Sequence, residues 1–151
     1  MATTHHGILI SLSSKRLALL ESEPDTLEDV VEARHEDKIP GLLDLGTHWE
    51  TLDTVLSGRG RDDLLGDVLL ARSGKPLSVD NAFELAMVLS PQRVAEVSSK
   101  LAELTGEAFR ERATQLGKTK SLTQLEALYA QIVALYAEAA KSRQSMLALL
   151  V

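Results

Sequence analysis

Apolar residues follow two different spacings along the chain, and each spacing predicts one kind of element. Residues 7–12, Gly-Ile-Leu-Ile-Ser-Leu, form a short apolar run that is typical of a β-strand. Residues 146–151, Met-Leu-Ala-Leu-Leu-Val, form a second run. A free apolar tail would expose an adhesive patch to water. We therefore expect residues 146–151 to form a strand that is docked into a sheet beside residues 7–12.

Apolar stripes at spacings of three and four residues predict several helices. The longest stripe covers residues 122–139. Ser121 and Gln124 have the spacing of a capping box at the start of this helix. Shorter stripes predict three more helices, which begin at Ser13-Ser14, at Asp25 or Thr26, and at Ser90, the last with Pro91 at the first helical position.

The only tryptophan lies in a further helical stripe. Leu45, Trp49, Leu52 and Leu56 are spaced by four, three and four residues, which predicts one buried face of a helix from about residue 47 to residue 56. Gly58 is placed to form the C-cap of this helix. We expect Trp49 to be the largest buried side chain of the core.

Three other segments have less regular patterns. Residues 57–63, Ser-Gly-Arg-Gly-Arg-Asp-Asp, have the composition of a loop. Residues 64–71 are apolar enough for either a helix or a strand, and the Ser-Gly-Lys-Pro turn that follows favours a short extended element. For residues 82–89 the pattern leaves helix and strand open.

The composition limits the fold class and excludes some chemistry. The 151 residues suit one domain, residues 1–151, and 44% hydrophobic residues are enough for a core. We predict an α+β domain that is mostly helical, with a small sheet that includes N-terminal and C-terminal strands. The chain has no cysteine, which excludes disulfides, thiolate ligands and cysteine nucleophiles. No apolar run reaches the length of a membrane span, and we expect a soluble cytoplasmic protein.

The net charge of −6 argues against a nucleic-acid partner, because neutralising phosphates requires clustered Lys and Arg. The basic residues here are scattered along the chain, and acidic residues directly follow the Arg-Gly-Arg segment. An acidic domain suits a basic protein partner, which its charge would attract over a distance.

The order of these elements, together with particular residues, resembles the YfbM-like family of small bacterial proteins, a domain of unknown function. The resemblance covers nearly the whole chain and rests on four groups of residues: the strand at 7–12 followed by Ser13; Asp44-Leu45 with Trp49, Leu52, Leu56 and Gly58; Gly74-Lys75-Pro76 leading through Leu89 and Pro91 to Val94; and Tyr136 with Ala139-Ala140 before the terminal apolar run. The resemblance implies an α+β fold and implies no reaction. Residues 50–53 depart from the histidines that family members often carry beside the tryptophan.

The polar face of the Trp49 helix carries His48, Glu50 and Asp53, with Asp44 one turn earlier. Histidine and carboxylate side chains that converge can hold a divalent metal. His48 and Glu50, however, point about 200° apart on an ideal helix. We interpret the group as a solvated helix face, and we expect no metal or other cofactor.

Three functional hypotheses follow from these patterns. We favour a non-catalytic protein-binding domain, in its concrete form an immunity or antitoxin-like protein that occludes a basic toxin domain. The alternatives are a small metal-dependent hydrolase built on the Trp49 helix and a self-associating housekeeping protein. The candidate partner-binding residues lie on the outer face of the Trp49 helix and in the loop after it, where we expect exposed side chains: His48, Glu50, Asp53, Arg59, Arg61, Asp62 and Asp63.

Overall fold

The computed structural model describes residues 5–34, 39–58, 63–77 and 83–151. Five strands form one antiparallel sheet in the order β2-β1-β5-β4-β3. In chain order the strands are β1 (Gly7–Leu12), β2 (Leu42–Gly46), β3 (Lys75–Pro76), β4 (Leu85–Leu89) and β5 (Ser145–Leu150).

The described residues also form seven helices, so the chain has the mostly helical α+β fold that the sequence predicts. They are α1 (Ser14–Ser22), α2 (Thr26–Ala33), α3 (Trp49–Ser57), α4 (Asp63–Leu70), α5 (Pro91–Glu103), α6 (Gly106–Gln115) and α7 (Leu122–Lys141). None of these helices, within the part of the chain described, combines the length and hydropathy that a membrane span requires.

The sheet is the middle layer of three. Leu9, Met146 and Ala148 point toward a large apolar cluster built by α3 to α7. Ile10 and Leu147 point to the opposite face, where they pack with buried residues of α1 and α2. Both faces are covered, which explains why β1 and β5 read as continuous apolar runs rather than alternating ones.

Strand β5 lies between β1 and β4, and each of its six residues is buried. Ala148 is opposite Leu9 on one side and Met87 on the other. This arrangement confirms that the C-terminal apolar run docks beside residues 7–12. It also shows that the run is an interior strand, whose backbone groups pair on both sides.

Helix α3 begins later in the chain than the predicted Trp49 helix. Leu45 belongs to β2, and the helix begins only at Trp49, because Gly46 takes a left-handed φ of 57° that turns the chain away from the sheet. Trp49 is half-buried rather than the largest core side chain. Its indole Nε1 donates a 2.9 Å hydrogen bond to the carbonyl oxygen of His5. The predicted C-cap is confirmed, since Gly58 has a left-handed φ of 60°.

Residues 63–70 form helix α4, so the extended element favoured for residues 64–71 is wrong. Leu65, Val68 and Leu69 are buried, and the helix contacts α3, α5 and three strands. An apolar run this short fits a buried strand as well as a buried helix, so its pattern alone does not distinguish the two. Of the second ambiguous segment, residues 85–89 form β4, and residue 82 lies outside the described residues.

Predicted N-caps are confirmed at two helices and wrong at two others. The hydroxyl oxygens of Ser13 and Ser90 accept hydrogen bonds from the backbone N–H groups of Arg16 and Arg93, and Pro91 opens α5. Asp25 precedes α2 but has a helical backbone conformation and makes no side-chain cap hydrogen bond. Ser121 instead has a left-handed φ of 60° and makes no side-chain cap hydrogen bond. A capping box requires an extended N-cap residue, which that backbone conformation prevents.

Replacing Leu149 by Ala should lower the free energy of unfolding by about 2–5 kcal/mol, because Leu149 is fully buried in the central strand. The matched control is Leu19→Ala, which truncates a leucine that is 50% exposed and should cost at most about 0.5 kcal/mol. Urea unfolding followed by circular dichroism measures both. Equal losses in the two variants would contradict the central position of β5.

Candidate functional site

A cleft of about 900 Å³ opens where α1 and the start of α5 meet the end of the sheet. We call it the α1–α5 cleft. One wall comes from α1, a second from the turn before β3 and from β3 itself, and a third from the β4–α5 junction. Its lining residues are Leu17, Glu21, Ser73, Gly74, Lys75, Pro76, Leu77, Val88, Leu89, Ser90, Pro91, Gln92, Arg93, Glu96 and Ser145.

A buried carboxylate, Asp67, holds two walls of the cleft together from behind. Asp67 lies in α4 and is only 1% exposed. It accepts hydrogen bonds from the backbone N–H and hydroxyl of Ser73, at 2.8 and 2.5 Å, and from Arg93 Nε at 2.7 Å. Arg93 Nη1 also donates to Glu96 at 3.1 Å. Asp67 therefore joins α4, the turn before β3 and α5.

The electrostatics of Asp67 follow from this geometry. Burial disfavours the charged carboxylate, but the hydrogen bonds from Ser73 and the charge of Arg93 outweigh burial and hold the pKa of Asp67 below its usual range. Next to it, the hydroxyl of Tyr136 donates to the carbonyl oxygen of Val68 inside the core, and burial raises the pKa of Tyr136 far above its ordinary value. Asp67 is thus ionised and fully engaged at neutral pH, as an anchor for the cleft walls.

Backbone contact closes the floor of the cleft at Gly74. A Cβ atom placed on Gly74 would overlap the carbonyl oxygen of Val88 in the neighbouring strand, so only glycine fits this position. Ser145, at the start of β5, lies beside this floor and is 3% exposed.

The α1–α2 segment carries a run of carboxylates without an intervening Lys or Arg. We call it the acidic layer, and its members are Glu21, Glu23, Asp25, Glu28, Asp29 and Glu32. All except half-buried Glu28 are exposed. None of them forms an ion pair with another described residue. Glu21 belongs both to this layer and to the rim of the α1–α5 cleft.

Some other carboxylates of the described chain are engaged by an arginine. Arg34 Nε donates to Asp44 at 3.1 Å. Arg110 forms two 2.9 Å hydrogen bonds with Glu126. Glu50, Glu111 and Glu138 are also exposed and form no ion pair among the described residues. The acidic layer differs from them because its six carboxylates follow one another along the chain with no Lys or Arg between them.

The candidate residues predicted on the Trp49 helix do not share one exposed face in the structure. Glu50 is exposed, whereas His48 is half-buried at the N-cap of α3. Asp53 is not an exposed rim residue, since its side chain is only 13% exposed and pairs with Arg72 Nη2 at 2.7 Å. The expected exposure of Asp53 is therefore wrong, because α3 packs against α4 and the turn that carries Arg72.

The remaining candidate partner-binding residues lie wholly or partly outside the described part of the chain. Arg59, Arg61 and Asp62 lie outside the described residues, and Asp63 opens α4 with its side chain outside them. Their role in binding a partner stays a prediction. Within the described ranges, no three His, Asp or Glu side chains are grouped to hold a metal ion.

Sequence reasoning missed the cleft and the acidic layer for different reasons. The acidic layer was visible, since residues 17–33 contain six carboxylates and no Lys or Arg. The link between Asp67 and Arg93 was not visible, because it spans 26 residues and depends on α4 being a helix. Ser145 likewise joins the cleft only through the sheet order.

Comparison with known proteins places the chain in a family. A family model described as a domain of unknown function, DUF1877, matches residues 4–149, and the chain belongs to this family. Among solved structures, the fold is similar to that of the protein of unknown function YfbM from Escherichia coli, at 17% identity and a TM-score of 0.65. The match covers 97% of this chain and 99% of that one. A search of curated proteins finds no match.

Replacing Asp67 by Asn should lower the free energy of unfolding by about 2–3 kcal/mol, because it removes charge-assisted hydrogen bonds to Ser73 and Arg93. The control is Glu96→Gln, which removes only the solvent-exposed partner of Arg93 and should cost less than about 1 kcal/mol. Chemical unfolding measures both. A stable Asp67→Asn protein would show that Asp67 does not hold the cleft walls.

The two buried aspartates should respond to pH with opposite signs. Burial raises the pKa of Asp53 despite Arg72, and its Oδ1 has no hydrogen-bond partner. Relative to Asp53→Asn, the natural protein should therefore gain stability as the pH falls through that raised pKa. Relative to Asp67→Asn, it should keep its advantage above about pH 4, the ordinary aspartate range, and lose it below, as the pH passes the lowered pKa. Unfolding curves from about pH 7 to pH 3 test both signs, and equal pH dependence in both comparisons would contradict them.

Proposed function

We propose that this DUF1877-family protein is a non-catalytic protein-binding domain and that its acidic layer docks a basic surface of the partner. The single observation that carries the proposal is the acidic layer itself: six neighbouring carboxylates with no ion pair among the described residues. Unpaired charges of one sign raise the association rate with an oppositely charged partner.

The position of these carboxylates supports the proposal, because several of them lie where they weaken the fold. Glu21 is in the last turn of α1, Glu23 is its C-cap, and Glu32 is in the last turn of α2. Helix C-termini carry partial negative charge and favour cations, yet the last turn of α1 has no basic residue. At the end of α2 the C-cap residue is Arg34, whose Nη1 donates to the Val31 carbonyl at 2.6 Å, so Glu32 costs less there. Charges that disfavour stability at two neighbouring positions of α1 fit a surface shaped for binding.

An apolar side chain lies within the acidic layer. Leu19 is 50% exposed, the one large hydrophobic residue so exposed in the described chain. It precedes Glu23 by four residues, and the Glu23 N–H donates to the Leu19 carbonyl at 2.8 Å, so the two share one face of α1. Lys15 and Arg16 precede Leu19 by four and three residues, so the charges on this face of α1 have both signs. An apolar anchor beside charged residues is the usual arrangement of a protein interface.

The more specific form of the proposal is an immunity or antitoxin-like protein of the bacterial cytoplasm that occludes a basic toxin domain. A compact acidic domain covers a basic surface of another domain without needing chemistry of its own. The supporting features are the net charge of −6 and the concentration of unpaired carboxylates on one layer. Glu50 is exposed on α3 and is a second candidate, which the same experiment examines with Glu50→Lys.

The experiment is capture of partners by matched charge variants. Glu23→Lys with Glu32→Lys reverses two charges in the acidic layer, and Glu103→Lys with Glu111→Lys reverses two exposed charges on α5 and α6. The natural protein and the control pair should retain one partner in stoichiometric amount, and the acidic-layer pair should lose it. The association rate of that partner should fall as salt rises, since the Debye length shrinks to about 3 Å at 1 M.

The same acidic-layer pair should also be more stable than the natural protein, by about 0.5–1 kcal/mol, because it places cations at two helix C-termini. Chemical unfolding checks this result. A partner that binds the two charge pairs equally well, or a complete lack of a stoichiometric partner, would contradict the proposal. Loss of binding only when Glu50 is reversed would move the interface to the outer face of α3.

A further inference from the structure

The α1–α5 cleft has apolar side walls. Leu17 of α1 faces it from one side, and Pro76, Leu77 and Val88 line it from the sheet edge. Such walls suit the aliphatic stem of a long side chain, which packs on apolar surface while its charged head reaches a polar partner.

The charges at the cleft are mostly already neutralised. Arg93 is engaged by Asp67 at 2.7 Å and by Glu96 at 3.1 Å. The start of α5 offers little to an anion, because Pro91 has no N–H and the Arg93 N–H is bound by Ser90 Oγ. The lining charges without an ion pair among the described residues are Glu21 and Lys75, on opposite walls.

Ser145 supplies an unused polar group deep in the cleft. It is 3% exposed and lies opposite Leu12 in β1. Side chains alternate along β5, so Ser145 points to the same face as Leu147, which is the α1 face. Among the described residues, its hydroxyl has no hydrogen-bond partner. The fully buried and unpaired side-chain atoms among the described residues are His6 Nδ1 and Asp53 Oδ1, so Ser145 Oγ is still accessible from the cleft, where a ligand can bind it.

We propose that the α1–α5 cleft seats one cationic side chain, Arg or Lys, of the bound protein. The proposal rests on the proposed function and names the anchor of that interface. The aliphatic stem packs against Leu17 and Leu77, the charged head pairs with Glu21, and an N–H of the head donates to Ser145 Oγ. Lys75 repels the head and so directs it to the Glu21 wall. The occupant is basic because Glu21 continues directly into the acidic layer that receives the partner.

The test uses two short probes, acetyl-Leu-Arg-Leu-amide and the same peptide with citrulline, which keeps the shape of arginine and lacks its charge. Each is titrated into the full-length protein, and the backbone amide signals of residues 73–77 and 145 are followed by NMR. The arginine peptide should bind saturably at the cleft, and the citrulline peptide should bind about tenfold more weakly or not at all.

Three variants and one control give the sign of each contribution. Glu21→Gln should weaken the arginine peptide about tenfold, and the control Glu32→Gln, an acidic-layer residue outside the cleft, should change it less than about twofold. Lys75→Gln should strengthen binding. Ser145→Ala should weaken binding severalfold without lowering the melting temperature, because it removes a hydroxyl that the free protein leaves unpaired.

Several outcomes would overturn the inference. Equal binding of the two peptides would show that the positive charge of arginine does not contribute to binding. A stronger peptide complex in Glu21→Gln with a weaker one in Lys75→Gln would show that the cleft prefers an anion. No saturable shift up to about 10 mM peptide would show that it holds no cationic side chain. With the captured partner, loss of binding in Glu23→Lys with Glu32→Lys but not in Glu21→Gln or Ser145→Ala would leave the proposed function standing and the cleft anchor refuted.

Discussion

The structure depends on the pairing of β5 with both β1 and β4. This strand ends the described chain, yet it occupies the centre of the sheet, and all six of its residues are buried. Its odd-numbered and even-numbered side chains enter opposite cores, so one strand ties α1 and α2 to one face and α3 to α7 to the other. Since a strand buried on both faces must satisfy every backbone group within the sheet, its neighbours cannot shift register independently.

The same sheet places the cleft. Ser145 begins β5 at the end of the sheet where Leu89 of β4 passes into α5 and where α1 crosses over Leu12. Asp67 then fixes the remaining walls by binding Ser73 and Arg93. The walls of the cleft are therefore joined to one another by the sheet and by the hydrogen bonds of Asp67.

The carboxylates of α1 and α2 differ in role from another group, which binds arginine side chains. Asp44, Asp53 and Asp67 each engage an arginine, and they connect elements that are distant in sequence. The carboxylates of α1 and α2 connect nothing that is described, and three of them oppose the helix dipole. The arginine-binding group serves the fold. In the acidic layer, Glu21 and Glu23 disfavour the end of α1, whereas Glu28 and Asp29 lie in the first turn of α2, where the dipole favours them. We propose that binding a basic partner is the reason for the cost at α1.

Patterns among neighbouring residues are sufficient to predict some of the helices and strands. The sequence correctly predicts strands β1 and β5, helix α7 and the start of α5 at Ser90-Pro91. Each of these predictions depends on neighbouring residues alone. Helix α4 could not be distinguished from a strand, since it is an apolar run of only eight residues. The resemblance to the YfbM-like family gave the correct family and fold and no site, because that family has no known function.

The position of the interface could not be predicted from spacing around Trp49. The polar residues of that helix looked like a cluster, but Asp53 turns inward to Arg72 once α4 packs beside α3. The cleft depends on contacts between residues as distant as Leu17 and Ser145, which no local pattern connects. The acidic run of α1 and α2, in contrast, could be recognised from the sequence alone, because its residues are close together along the chain.

Hydrogen exchange of the full-length protein, alone and saturated with its captured partner, tests the central claim most directly. The account predicts that the partner slows exchange in α1, in α2 and in residues 73–77 at the cleft, while β5 remains slow in both states because it lies in the middle of the sheet. Slowed exchange confined to α6 and α7, with α1, α2 and the cleft unchanged, would contradict it.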